Sequence, residues 1–445
     1  MRKFFCLLMS IVTCFLFTAC NSNASGNENG GGVGKVEEKA LKVVEKYSSG
    51  KEFMIKGWLM PNTNTLESYK LVKELGITHV MIDSGTGVAF GTQQFEDVMK
   101  YMEEAGVNGI FTLGNGDRAT EPYDGMDQDF RKWPAIKGIN YFDEPRGSEQ
   151  NTVIFNMIKA HEEKYGNDLF AYTNLFPYSV YNEKYNDYVK NYCEDVLSKI
   201  SGRKILAMDV YPYYYGDKLI ESTWIAGLET IGKYARDYGL EMQIWIQSME
   251  NLSLGTNSLR KPIKEEYAHQ IYSALAFGAK GFGYFTLGTG LAPGWGEALI
   301  KKDGTASESY FWAKEINAEV CSFQDVYLSF NYEKTLAVDG EKSANQCINF
   351  MYMDARPTLD GISNISAKED ALIGQFENGG QKAYMITNFA EPMLGKKNTV
   401  SMTFTNANAV VVYVNGKSSV YRLIDGKAVF NLNIGEGVFA IPVNV

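Results

Sequence analysis

From about residue 50 onward the chain alternates between two textures. An amphipathic stretch ends at a glycine, and a short, almost continuously apolar run follows: ITHVMID after Gly76, VNGIFTL after Gly106, NDLFAYTN after Gly166, RKILAMDVY after Gly202, LEMQIWIQ after Gly239, and a run beginning near Gly278. A glycine just past a helix takes the left-handed conformation that a Cβ penalises, so each marks a helix stop. Each apolar run reads as a strand buried on both faces, as in a parallel sheet. The stretches between have the helical period. Phe95, Val98, Met99, Met102 and Ala105 fall at i, i+3, i+4, i+7 and i+10, and Tyr267, Ile271, Tyr272 and Leu275, at i, i+4, i+5 and i+8, likewise keep to one helical face. Eight strands are predicted, at 53–59, 78–83, 108–113, 138–144, 168–174, 204–211, 241–247 and 280–286. Eight βα units over roughly 250 residues predict a (β/α)8 barrel across 50–331. An open doubly wound sheet is the alternative, but no GxGxxG follows the first strand. Beyond about residue 332 helical spacing vanishes and short alternating strands take over, with Asn415-Gly416 and Asp425-Gly426 as hairpin dipeptides. A small antiparallel β-sandwich over 332–445 is expected.

The first residues follow another logic. Arg2 and Lys3 precede an apolar run from Phe4 to Phe17, too short for a permanent membrane span, which predicts an export signal over 1–19. Leu16-Phe17-Thr18-Ala19-Cys20 resembles a bacterial lipobox, which implies a lipid on Cys20 and a protein held at the cell envelope or surface through that anchor. A plain signal peptide cut nearby is the other reading, and both export the protein. NSNASGNENGGGVG, residues 21 to 34, has almost no apolar content, so 20–49 is expected to be a flexible tether.

Composition narrows the chemistry. An apolar content of 45% supports a packed core, while a net charge of −10 without a dense Lys/Arg cluster argues against nucleic acid as a partner. The three histidines, at 79, 161 and 269, are scattered, and the six cysteines form no CxxC pair, so neither a metal nor another cofactor is expected. His269 is expected on the surface or packing face of its helix.

Active sites of such barrels lie at the C-terminal strand ends, here Trp58, Asp83 with Ser84, Gly114 to Asp117, Asp143 with Glu144, Asn174, Asp209 to Tyr213, Gln247 and Thr286. This ring is acidic, amidic and aromatic, without Lys or Arg. Trp58, Tyr211, Tyr213, Trp245, Tyr284 and Trp295 offer flat faces for sugar rings, and Asp83, Asp143, Asn174 and Gln247 suit hydroxyl groups. Tyr213-Tyr214-Tyr215 is either a stacking platform or a loop anchor. Glycosidic hydrolysis needs one carboxylic acid to protonate the leaving oxygen and one carboxylate opposite. Glu144 is the candidate acid, its proton favoured by partial burial and by the charge of Asp143. Adjacent strand residues point to opposite sides, so Asp143 is expected to orient a neighbour instead.

INYFDEP at 139–145, MDVYPYYY at 208–215 and EEYAHQIYSALAFGAKGFGYFTLGTG at 265–290 resemble glycoside hydrolase clan A, especially proteins related to the family 42 β-galactosidases. The likeness covers about 50 to 445. It implies retaining hydrolysis with a strand-4 glutamate, usually after asparagine, as acid/base and a strand-7 glutamate as nucleophile. Asp143 replaces that asparagine, and strand 7 ends in Gln247, which cannot form a glycosyl ester. Glu250, three residues on, and Asp209, at the end of strand 6, remain open as the second carboxylate. The expected function is hydrolysis of an oligosaccharide or glycan, or glycan binding without cleavage. A barrel enzyme for phosphorylated metabolites is disfavoured, because no Gly-rich phosphate loop follows strand 7.

Overall fold

The computed structural model describes residues 33–82, 88–113, 128–216, 221–341, 357–414 and 416–445. Eight parallel strands pair in chain order and close into a barrel: β1 (Met54–Gly57), β2 (His79–Ile82), β3 (Asn108–Thr112), β4 (Ile136–Asp143), β5 (Phe170–Leu175), β6 (Ile205–Asp209), β7 (Glu241–Gln247) and β8 (Gly281–Phe285). The last strand returns to the first through Met54 opposite Gly281 and Gly57 opposite Tyr284. The barrel is therefore as the sequence pattern predicts, and the open sheet is excluded.

Local chemistry sets the element ends. The helix Gln93–Ala105 begins where the Thr92 side chain accepts from the Phe95 amide and stops at Gly106, whose φ of 70° is left-handed. Inside the barrel, Met81, Ile110, Tyr172, Ile205, Ala207 and Trp245 form their own apolar cluster. Lys56 is buried among them. Its Nζ donates to the Tyr172 hydroxyl at 3.0 Å and to the Gln243 side-chain carbonyl, and lies 4.7 Å from the Trp245 ring centroid. Burial, and then the charge of Arg203, hold the Lys56 pKa well below the ordinary lysine value.

The C-terminal region is a two-sheet sandwich. β10 (Ile362–Ala367), β13 (Asn398–Phe404) and β16 (Lys427–Leu432) form a three-stranded sheet. Facing it are six strands in the order β15 (Lys417–Arg422), β14 (Ala409–Val414), β17 (Gly437–Val443), β12 (Gln381–Asn388), β11 (Ala371–Asn378) and β9 (Asn331–Val338). β13 alternates buried and half-buried residues along its length, as a strand with one face on a core does. At Asp425-Gly426 the tight turn forms, with the Lys427 amide donating to the Ile424 carbonyl at 3.0 Å. The flanking strands β15 and β16 nevertheless belong to different sheets, so this turn is a corner of the sandwich rather than the expected hairpin.

Two further expectations are corrected. Of the tether expected over 20–49, residues 20–32 lie outside the described residues, and the rest holds a helix, Val33–Val44, whose Ala40 and Val44 are buried, followed by Tyr47 packed on Phe330 at 4.9 Å between ring centroids. Its apolar stripe finds a partner in the aromatic seam between barrel and sandwich. The helix Lys264–Ala276 is not amphipathic in effect. Every residue from Glu266 to Ala276 is buried, because the sandwich covers the face turned away from the barrel.

That seam is tight. A Cβ on Gly374 would lie 2.0 Å from the Ala276 carbonyl oxygen, and the Thr335 hydroxyl donates to the same oxygen at 2.8 Å. Gly374→Ala is expected to destabilise the protein by ~1–3 kcal/mol through overpacking, measured by urea unfolding of the whole chain. A smaller change would mean that the two units slide past each other readily.

Candidate active site

The site is built at the ends of three consecutive strands. In β4 the register with β5 shifts between Asn140 and Phe142, and the extra residue Tyr141 bonds His161 of the helix Ser148–Tyr165 at 2.8 Å. This bulge leaves Asp143 opposite Asn174, the amide near the end of β5. One Asn174 Nδ2 serves two carboxylates, donating to Asp209 Oδ1 at 2.8 Å and to Asp143 Oδ1 at 3.3 Å. Asp143 thus shares the Asn174 amide with Asp209.

Glu144 leaves the strand altogether. Its φ of +57° is left-handed, a conformation that costs a non-glycine residue ~1–3 kcal/mol. The Glu144 amide donates to the Asn174 carbonyl at 2.8 Å, and the next carbonyl, of Pro145, accepts from the Tyr188 hydroxyl at 2.8 Å. These bonds hold the turn. The simple alternation of strand faces therefore does not separate the two acids, because the backbone changes hand between them.

The electrostatics distinguish the carboxyls. Burial first, then Asp209 and Asp143, push Glu144 up to about 9, with Arg146 opposing. Burial also raises Asp209, but its hydrogen bonds to Asn174 and Tyr211 oppose that, and it reaches about 6. Between these values one site holds a proton on Glu144 and a negative charge on Asp209. Two neighbouring carboxyls whose environments drive their pKa values apart are suited to acid and base roles.

An aromatic wall adjoins them. Tyr211 stacks on Phe285 at 5.0 Å between centroids, Phe285 meets Trp295 at 5.4 Å, and Trp58 meets Phe285 at 6.3 Å. Tyr211, Trp58, Phe285 and Trp295 are all half-buried, so each keeps an accessible face. The sequence reading missed Phe285, which closes β8 one residue before Thr286, and Tyr181, whose ring stacks on Tyr188 at 4.2 Å within electrostatic reach of Arg146 and Glu144. Hydrophobic period alone gives a strand-closing phenylalanine no distinction from core.

Four other candidates are placed elsewhere. Tyr213 is buried, its hydroxyl 3.0 Å from His269 Nδ1 and donating to the Glu266 carbonyl, so it anchors the loop after β6. Gln247 accepts from the Tyr213 amide at 2.9 Å and donates to the carbonyls of Tyr213 and Arg260, which ties two loops together and leaves no free amide for a ligand. Trp245 lies beneath Trp58, edge to face at 5.1 Å, with its Nε1 donating to the Tyr172 hydroxyl. Tyr284 faces outward and donates to Asn317 Oδ1 at 2.6 Å. All four are buried, so they support the site from behind rather than touching solvent. His269 packs, as one of its two readings had it, stacking on Phe389 at 4.8 Å.

Glu250 stands apart from the acidic cluster, at the rim, where its Oε1 accepts from the exposed Tyr215 hydroxyl. Asp83 and Ser84, the stretch Gly114 to Asp117, and Cys20 lie outside the described residues. Among the described residues, no group of three or more His, Cys, Asp or Glu is placed to hold a metal ion, and no helix is long and apolar enough to cross a membrane.

No protein-family model matches the chain, and no curated protein matches its sequence. Solved structures do resemble it. A β-galactosidase from Bacillus circulans sp. alkalophilus superimposes with a TM-score of 0.53 at 10% identity, over 89% of this chain and 100% of that one. A GH27 β-L-arabinopyranosidase from Geobacillus stearothermophilus gives 0.52 at 9%, over 89% and 98%. A β-galactosidase from the psychrophilic Marinomonas ef1 is matched at 10% identity over 62% of either chain, less than two thirds of its length, with a TM-score of 0.42. At such identities the first two likenesses establish the fold, which is one that glycoside hydrolases use.

The raised pKa of Glu144 fixes a sign. The folded protein keeps a proton that the unfolded chain, with Glu144 near 4.5, releases, so this group's contribution to stability is full below about 4.5 and is lost as pH rises through about 9. Glu144→Gln removes that loss. Denaturant unfolding from pH 5 to 8.5 is expected to show the variant gaining on the wild type steadily, with the two converging at the acid end; parallel curves would show that Glu144 titrates normally.

Proposed function

We propose that the protein hydrolyses O-glycosidic bonds of an oligosaccharide, with Glu144 as general acid and Asp209 as the charged partner. The observation that carries this is two neighbouring carboxyls, Asp209 bonded to the Asn174 amide and Glu144 pushed higher by burial and by Asp209, beside an aromatic wall. Glu144 gives its proton to the leaving oxygen as the glycosidic C–O bond breaks, Asp209 stabilises the positive charge that develops on the sugar, and a water molecule bonds to the anomeric carbon and gives up its proton to a carboxylate of the pair. Asp209 is preferred to Glu250 because it is the leading charge acting on Glu144 and shares Asn174 with Asp143, whereas Glu250 is bonded at the rim. Tyr211, Phe285 and Trp58 offer faces to the apolar side of a pyranose. Relation to the family 42 enzymes is supported by the motif resemblance at 139–145 and 265–290. The pattern of residues 1–20 supports export and a lipid on Cys20, and with them a reaction at the cell envelope.

The test is a Glu144→Gln variant assayed on glycosides of differing leaving group. With an alkyl or sugar leaving group, which needs the proton, turnover is expected to fall roughly 10²–10⁴-fold. With a dinitrophenyl leaving group, which does not, the loss is expected to be much smaller, and binding to a glycan panel to persist. Absence of turnover in the wild type alongside glycan binding would favour a binding protein on a barrel scaffold. An equal loss on every leaving group would remove Glu144 from the acid role.

A further inference from the structure

The aromatic wall does not end at Trp295. The loop after β8 runs back along the loop after β7: Asn251 pairs with Trp295 in an antiparallel bridge, and the Leu252 amide donates to the Gly294 carbonyl at 2.7 Å. The loop after β6 joins them, with the Tyr215 amide donating to the Ser258 carbonyl at 3.1 Å. On this paired rim Leu252, Leu254 and Leu291 are 50%, 47% and 59% exposed, and Tyr215 is 51% exposed. Ten large apolar side chains stand exposed among the described residues, and four of them gather here. Scattered single leucines need no explanation, but a cluster continuous with a reaction site does.

The surface is graded. It begins with carboxyls at Glu144 and Asp209, passes over the half-buried rings of Tyr211, Phe285 and Trp295, and reaches the exposed leucines at a rim where the Glu250 carboxylate, bonded to the Tyr215 hydroxyl, stands among them. Leucine offers no hydrogen bond to a sugar hydroxyl and no flat face to a ring, so a longer glycan gains little there. A ligand complementary to the whole gradient has a sugar at one end, a glycosidic oxygen near the acid, and a hydrocarbon chain at the other. We propose that this rim is the leaving-group side of the site and that the substrate is an amphiphilic glycoside, a sugar joined to an aliphatic chain. The proposal rests on the glycosidase reading for its chemistry, but the binding of the chain is measurable without turnover.

The experiment compares methyl, octyl and dodecyl β-glucosides and β-galactosides, below their micelle concentrations. Binding is read by calorimetry on Glu144→Gln, and kcat/KM on the wild type. Because a buried methylene strengthens association up to roughly fourfold, affinity and kcat/KM are expected to rise about tenfold or more from methyl to octyl. In the triple variant Leu252→Ser, Leu254→Ser, Leu291→Ser, whose three sites are solvent-exposed, the octyl-to-methyl ratio is expected to fall toward one at an unchanged thermal midpoint. A ratio near one in the parent protein, or a ratio the triple variant leaves intact, overturns the proposal. So does concentration-dependent association in analytical ultracentrifugation that the triple variant abolishes, which would assign the leucines to a second copy of the chain. Chain-length-dependent binding without turnover of any glycoside would keep the amphiphile site and sink the hydrolase reading, while turnover without chain-length dependence would do the reverse.

Discussion

Closure of the strand ring, through the hydrogen bonds between β1 and β8, is the constraint from which the rest follows. In an open sheet the ends of β4 and β8 would lie strands apart. In a closed one they face each other across the barrel axis, and the acids of β4 and β6 come to share a wall with the rings carried after β1 and β8. A barrel of eight strands also has an interior just wide enough for side chains to fill. Here that filling includes Lys56, Tyr172, Gln243 and Trp245, joined by hydrogen bonds, so Trp245 is fixed as a floor beneath Trp58.

Closure creates a problem that the local chemistry has to meet. Asp143, Glu144 and Asp209 are brought together where water is scarce, and three negative charges there would repel strongly. Two features relieve this. The Asn174 amide donates to both aspartates, which keeps Asp209 far less raised than burial alone would leave it. Glu144 lacks that donor and keeps its proton. The same crowding that opposes folding thus drives the pKa values of the two carboxyls apart.

The sandwich contributes by supporting the mouth of the barrel from outside. Helix Lys264–Ala276 lies between the two units, with His269 stacked on Phe389 of the sandwich and bonded to Tyr213 of the loop after β6. Glu266 of that helix pairs with Arg260, whose carbonyl takes the Gln247 amide. Loops that carry function are held on rigid elements in this way, and Gln247 and Tyr213 belong to that holding rather than to the ligand face.

Hydrophobic period and glycine stops were sufficient to read eight strands, their order and a trailing sandwich, because burial on both faces and left-handed helix ends are local properties of the chain. Glu144, Asp209 and Asn174 were also legible, as polar residues closing apolar runs. Side-chain direction was not. Gln247, Tyr213, Trp245 and Tyr284 read as mouth residues by position, yet each is turned into packing or into another loop, a choice made by partners as distant in sequence as Tyr172 and Asn317. Nor did alternation anticipate that the backbone reverses hand at Glu144 and lets adjacent acids share one site. The sequence by itself determined which elements form and which residues lie near their ends. Only the tertiary structure decided which of those residues meet, because hydrogen bonds and desolvation between strands far apart in the chain are absent until the barrel closes.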